Sequence, residues 1–209
     1  MSEKEAIRGR MLSIRKGIPD EEKHEMSKRI MERLFDLEEF GNAKTVAFYL
    51  SKKDEVDTWA MVEEAARGKE VLLPIVKVHF LAACRADAAQ VAKGCDQKVK
   101  EKSLKFVYYE KNGKMRRGPY GIMEPVGEEF AGGIMDLMVV PLAAADRGGN
   151  RIGMGKGYYD RYLNGEGPKP KVLVGLCFDF QVMENVPAEA HDVPLNIIIT
   201  NKEIIRVKR

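Results

Sequence analysis

The sequence predicts an α/β fold: a mostly parallel, doubly wound sheet flanked by helices, with two helices at its N-terminal end. Three observations carry this. Short β-branched and apolar runs alternate with helical patterns, "TVAFYL" (45–50) and "EVLLPIV" (70–76) being separated by one helix, the order of a parallel sheet. "MDLMVVPLAA" (135–144) is nearly continuous in apolar residues, as a strand covered on both faces must be. Finally, 209 residues with 44% hydrophobic and 32% charged content suffice for one substantial core. A single domain over residues 1–209 is expected.

In order, Ile7, Met11 and Ile14 recur at helical spacing until Gly17 and Pro19. A second helix begins at Asp20, with Met26, Ile30, Leu34 and Leu37 on one face as far as Gly41. "TVAFYL" is read as a buried strand. Thr58 is placed to cap a helix carrying Trp59, Val62 and Ala66, closed by Gly68. "EVLLPIV" is the next strand, with Pro74 at or near its end. The segment from about 77 to 103 has no strong period after Leu81 and is read as an insertion, a helix or strand plus a charged loop. Asn112-Gly113 is a hairpin signal. "MDLMVVPLAA" follows, then a glycine-rich stretch and a helix over about 157–163. "KVLVGLCF" (171–178) and "LNIIIT" (195–200) add strands, and "EIIRVKR" (203–209) an edge strand. The whole is Rossmann-like in plan.

Composition excludes several roles. The net charge of +3 is too small to imply nucleic acid. The first residues are dense in Lys, Arg and Glu, so neither a signal peptide nor membrane association is expected. Cys84, Cys95 and Cys177 are widely spaced, which fits reduced thiols in a cytoplasm. A monomer or a weak dimer is expected.

The stretch "DRGGNRIGMGKGYYDRYL" (146–163) combines five glycines, three tyrosines and several cations. It lies after a central strand and before a helix, where open α/β sheets bind ligands. Gly153, Gly155 and Gly157 alternate, so successive N–H groups can form a concave anion site, with Arg151 and Lys156 adding charge. It is neither a Walker A loop nor a dinucleotide fingerprint, because the spacing of the glycines differs from both. The alternative is a flexible surface turn. Lys4, Arg8 and Arg15 form a cationic stripe beside the apolar face of the first helix, which faces either a cleft or solvent. Asp160 and Asp192 are isolated carboxylates with ligand potential, His24, His79 and His191 show no metal spacing, and no nucleophilic triad can be assembled.

The run "DLMVVPLAAADRGGNRIGMGKGYYDRYL" closely resembles the signature of the 5-formyltetrahydrofolate cyclo-ligase family: an apolar strand ending in Pro, then D-x-x-G-x-R-[apolar]-G-x-G-x-G-Y-Y-D. "KEAIRGRML", "FYLSKKDEVDT", "YGIMEP" and "HDVPLNIIIT" match further elements in order, so the resemblance spans most of the chain. Three departures stand out: the 77–103 insertion, Leu142 where a glycine often follows the proline, and Asn196 where many members carry Asp.

The resemblance implies ATP-dependent cyclisation of 5-formyltetrahydrofolate, with or without a polyglutamate tail, to 5,10-methenyltetrahydrofolate through a phosphorylated formyl intermediate. Its implied alternative is a non-catalytic folate- or nucleotide-binding paralogue. Such chemistry asks for positioning and charge neutralisation rather than a protein nucleophile. Carried over by position, Lys4 and Arg8 contact ATP, Arg8 also lying near the folate. Residues Arg151, Ile152, Gly153, Met154, Gly155, Lys156, Gly157, Tyr158 and Tyr159 wrap the triphosphate. Arg8, Leu50, Glu55 and Tyr158 bind the folate. Lys156, Tyr159 and Arg151 are the expected catalytic groups, and Asp160 and Asp192 the expected magnesium ligands.

Overall fold

The alternating patterns become five helices and twelve strands in a computed structural model that describes residues 2–82, 98–119, 121–165 and 167–208, excepting the side chains of 79–82 and 98–101. The chain runs α1 (Glu3–Gly17), α2 (Asp20–Phe35), α3 (Glu38–Asn42), β1 (Thr45–Ala47), α4 (Trp59–Ala65), β2 (Glu70–Ala82) and β3 (Lys98–Tyr108). It continues through β4 (Met115–Arg117), β5 (Met123–Pro125), β6 (Met135–Pro141), β7 (Ala144–Asp146), β8 (Arg151–Ile152) and α5 (Tyr158–Asn164). It closes with β9 (Pro170–Leu176), β10 (Val182–Met183), β11 (Ile197–Ile199) and β12 (Ile204–Arg206).

The main sheet has the order β12-β11-β9-β6-β1-β2-β3. Its inner five strands are parallel, and both edges are antiparallel additions. From β1 the chain builds outward to β2 and β3, then returns to place β6 on the other side of β1. The strand order therefore reverses between β1 and β6, and a crevice opens beyond their C-terminal ends. Both sheet faces are covered. Leu137 and Val139 of β6 pack in the cluster with Ile30, Leu34, Phe40 and Met61 from α2, α3 and α4. Met138 and Val140 pack instead with Phe106, Leu163 and Leu195. That two-sided burial explains the uninterrupted apolar run.

Asp136 ties this frame together. Its carboxylate accepts the Lys44 and Thr45 N–H groups at 2.8 and 3.1 Å and pairs with Lys171 at 2.9 Å, joining the entries of β1, β6 and β9. Lys171 first, then the two N–H groups, outweigh the opposing effect of burial and bring its pKa down to about 2.

Several elements differ from the sequence expectation. The second helical stripe breaks at Asp36, whose N–H closes on Glu32 and Leu34, and an extended Leu37 starts α3. Leu37 and Phe40 lie beyond the break, buried in the cluster that also holds Ile30 and Leu34. Thr58 does not cap α4 through its side chain; Asp57 Oδ1 accepts the Trp59 N–H at 2.9 Å. The Thr58 hydroxyl instead donates to Tyr49 O at 2.6 Å. Pro74 lies mid-strand: β2 pairs with β1 only at residues 70–72, while its pairing with β3 reaches Ala82. The next N–H on the proline's side, that of Val76, is taken by Glu124 Oε1 at 2.9 Å, so a missing donor at Pro74 breaks no ladder bond. The 77–103 insertion contributes extensions of β2 and β3 as an antiparallel pair; residues 83–97, with Cys84 and Cys95, lie outside the described residues. Asn112, at φ 65°, forms a turn, but the paired hairpin is β4 with β5. Among the described residues, no helix is long and apolar enough to cross a membrane.

Candidate active site

The glycine-rich stretch is built on a small hairpin. Asp146, 2% exposed, folds it: Oδ1 accepts the Gly148 and Asn150 N–H groups at 2.9 and 3.0 Å, and Oδ2 accepts from the Asn150 side chain and the Val186 N–H. The first Asp of the sequence motif is therefore an organiser of β7 and β8. This role was missed from sequence, although Asp-Arg-Gly-Gly-Asn (146–150) is the signal that finds it.

From β8, residues 153–157 run along the crevice into α5. Gly155 and Gly157 adopt φ of 88° and 62°, conformations that favour glycine. A Cβ built on Gly155 would stand 3.2 Å from the Arg8 guanidinium, and Arg8 Nε donates to Gly153 O at 2.8 Å. The group nearest the Gly155 backbone is thus the first helix's own arginine. Among the described residues, nothing accepts a hydrogen bond from the N–H groups of 153–157. Lys156 is exposed on the same loop, with no ion pair to a described carboxylate. A row of free donors beside an unpaired cation suits an anion.

Arg151 has a different setting. It is buried, and its guanidinium donates to Val193 O and Asp160 Oδ1. Burial lowers its pKa while Asp160 and Asp192 oppose that. The residue is a strut joining β8, α5 and the 192–195 segment. Asp192 accepts from Lys4 Nζ at 2.6 Å, and Lys4 also reaches Glu189 at 3.1 Å. Burial works against the charge of both Lys4 and Asp192, but their mutual contact together with Glu189 outweighs it, raising the lysine's pKa and lowering the aspartate's. The cationic stripe of α1 therefore faces the site along its length: Lys4 on Asp192, Arg8 on the loop, and Arg15, 4% exposed, near Glu55.

The opposite wall comes from the segment after β1. Leu50 is buried, and Glu55, 8% exposed, accepts the Lys52 N–H at 2.9 Å. Between the walls lies a cavity of about 240 Å³, lined by Leu50, Glu55, Pro74, Ile122, Lys156 and Tyr159 among others. Tyr158 and Asp160 also reach it. Burial first, then Glu55, push the Tyr159 hydroxyl far above its usual range, against Arg151, so it is a hydrogen-bond donor at neutral pH. Cys177 is fully buried and its thiol is pushed up by burial, which makes it inert.

The structure thus gathers Leu50, Glu55, Arg151, Lys156 and Tyr158–Asp160 around one cavity, with Arg8 against its glycine loop, while Lys4 and Asp192 pair with each other outside the lining. Among the described residues, no group of three or more His, Cys, Asp or Glu side chains could hold a metal by itself. Asp160 and Asp192 are each engaged with a cation. That donor set fits an ion carried mainly by nucleotide phosphates, which needs only one or two carboxylates. Asn196 is held elsewhere: its side chain accepts the Leu173 N–H at 2.8 Å between β9 and β11. Leu142 is accommodated by the bare backbone of Gly175, where a Cβ would lie 2.7 Å from its Cδ2.

Comparison with known proteins agrees with this architecture. The NMR structure of Aquifex aeolicus 5,10-methenyltetrahydrofolate synthetase superposes with a TM-score of 0.77 at 30% identity, over 99% of this chain and 93% of that one. The 5-formyltetrahydrofolate cyclo-ligase of Haemophilus influenzae is 29% identical over 199 residues, 92% of this chain and 94% of its own. That of mouse is 23% identical over 203 residues, 95% of this chain and 93% of its own. Residues 1–201 match the 5-formyltetrahydrofolate cyclo-ligase family, and the chain, with its hairpin-borne glycine loop facing Glu55 across one cavity, belongs to that family.

Proposed function

We propose that this crevice performs the family's reaction, converting 5-formyltetrahydrofolate and ATP into 5,10-methenyltetrahydrofolate, ADP and phosphate. The observation that carries the assignment is the two-sided cavity: free N–H groups and Lys156 on one wall, buried Glu55 on the other. The N–H groups of 153–157 and Lys156 hold the triphosphate, with Lys4 and Arg8 behind them. Leu50 covers the pterin, and Glu55 accepts from its polar N–H edge. The formyl oxygen attacks the γ-phosphorus as the bond to ADP breaks. N10 then attacks the activated carbon, loses its proton, and phosphate leaves with the formyl oxygen.

Protein groups position and neutralise in these steps. Tyr159, kept protonated, donates toward the oxygen that passes from formyl to phosphate, and Tyr158 packs alongside. Arg151 acts through Asp160, holding the start of α5 against the loop. Magnesium, when bound with ATP, would neutralise the phosphate charge, held by Asp160 and Asp192. The test is absorbance at the methenyl band with protein, 5-formyltetrahydrofolate, ATP and magnesium, omitting each in turn. Product only in the complete mixture is expected. Turnover without ATP would refute the ligase reading, and binding of both substrates without turnover would favour a binding paralogue.

A further inference from the structure

Arg15 is a buried cation whose needs are not met. Its side chain is 5% exposed, and its nearest carboxylate, Glu55 Oε1, lies 3.9 Å from one terminal nitrogen, too far for a hydrogen bond. Its Nε is buried with no acceptor. A guanidinium carries five donors, and an Nε–H left unpaired away from water is costly. Such a group calls for an explanation in a state other than the one seen. Glu55 is held on one side only, by the Lys52 N–H on Oε2, and its terminal torsion turns easily. Both charges also bear on Tyr49 beneath them: burial and then Glu55 push its hydroxyl up, and Arg15 pulls it back.

We infer that Arg15 is a positioning residue for the folate, which closes onto Glu55 when that carboxylate turns to accept the paired N–H donors of the pterin edge. The inference rests on the proposed folate role of Glu55. In the empty cleft the arginine stands 3.9 Å off. In the folate-bound cleft it forms the charge-assisted bond it lacks, so binding is favoured by relief of a buried, under-bonded charge. The arginine touches no substrate atom and acts through Glu55 alone. Lysine cannot replace it fully, since a point charge lacks the planar fork that meets a carboxylate edge-on.

The test is a double-mutant cycle read by calorimetric titration of 5-formyltetrahydrofolate without ATP, and by steady-state kinetics. Arg15→Met should raise the folate Kd and KM about tenfold, with kcat and the KM for ATP changed less than twofold. Arg15→Lys should fall between. In the Glu55→Gln background Arg15→Met should add less than a twofold further loss. Additive losses, or a loss in Arg15→Met as large for ATP as for folate, would overturn the inference. So would unchanged folate binding in soluble, folded Arg15→Lys and Arg15→Met proteins. If Glu55→Gln alone leaves folate affinity intact while ATP-dependent turnover persists, the folate role of Glu55 fails and this coupling fails with it. Loss of turnover in the wild type would instead strike the proposed reaction.

Discussion

Lys156 is the residue whose surroundings most directly predict its effect. It is exposed on the loop and pairs with no described carboxylate, so its removal should leave the fold intact. Lys156→Ala should raise the KM for ATP by a factor equivalent to about 1.5–3 kcal/mol, with an unchanged melting temperature. An unaltered KM for ATP would mean the side chain does not reach the nucleotide. Asp160 behaves differently because it also anchors Arg151. Asp160→Asn should move the magnesium optimum upward and lower the melting temperature together. A wild-type magnesium titration would leave Asp160 with only its role beside Arg151. At this scale the motif residues were legible but their division of labour was not. Spacing cannot tell that Arg151 is consumed by Val193 and Asp160 while Lys156 stays free, because the partners lie on other elements.

Among elements, β6 and β9 show how neighbours fix what a position tolerates. Gly175 on β9 lies under Leu142 and Leu195, whose ends would sit 2.7 and 2.5 Å from a new Cβ. Both leucines are buried, so Gly175→Ala should cost about 1–3 kcal/mol, measured by urea denaturation. No loss would mean that the leucines repack freely. The entry of these strands carries a pH dependence through Asp136. Its carboxyl is held down to about 2 in the folded protein, below the ordinary 3.8. The carboxylate's contribution is therefore complete above pH 3.8 and disappears as pH falls through 2. Asp136→Asn should lower stability at neutral pH by ~1–2 kcal/mol, and the difference from wild type should vanish near pH 2. A gap constant with pH would refute the assignment. Parallel strands and helices were readable from periodicity because burial on two faces leaves a plain apolar signature. The length of β2 was not. Pro74 reads as a terminator until β5 is known to supply Glu124 for the exposed edge.

Over the whole molecule, one helix reaches both walls of the proposed site. Lys4 meets Asp192, Arg8 meets the glycine loop, and Arg15 approaches Glu55, all on α1. Eleven residues separate the first from the last, roughly 16 Å along a helix at about 1.5 Å per residue. An α-helix hardly stretches, so α1 works as a ruler laid beside the crevice, and on the proposed function one mark falls at the phosphates and another at the pterin. A single residue inserted after Met11 would turn everything beyond it by about 100°. Arg15 would leave Glu55 while Lys4 and Arg8 kept their places. On the proposed function, the nucleotide and the folate would then be gauged by two different scales, no longer aligned for one to attack the other.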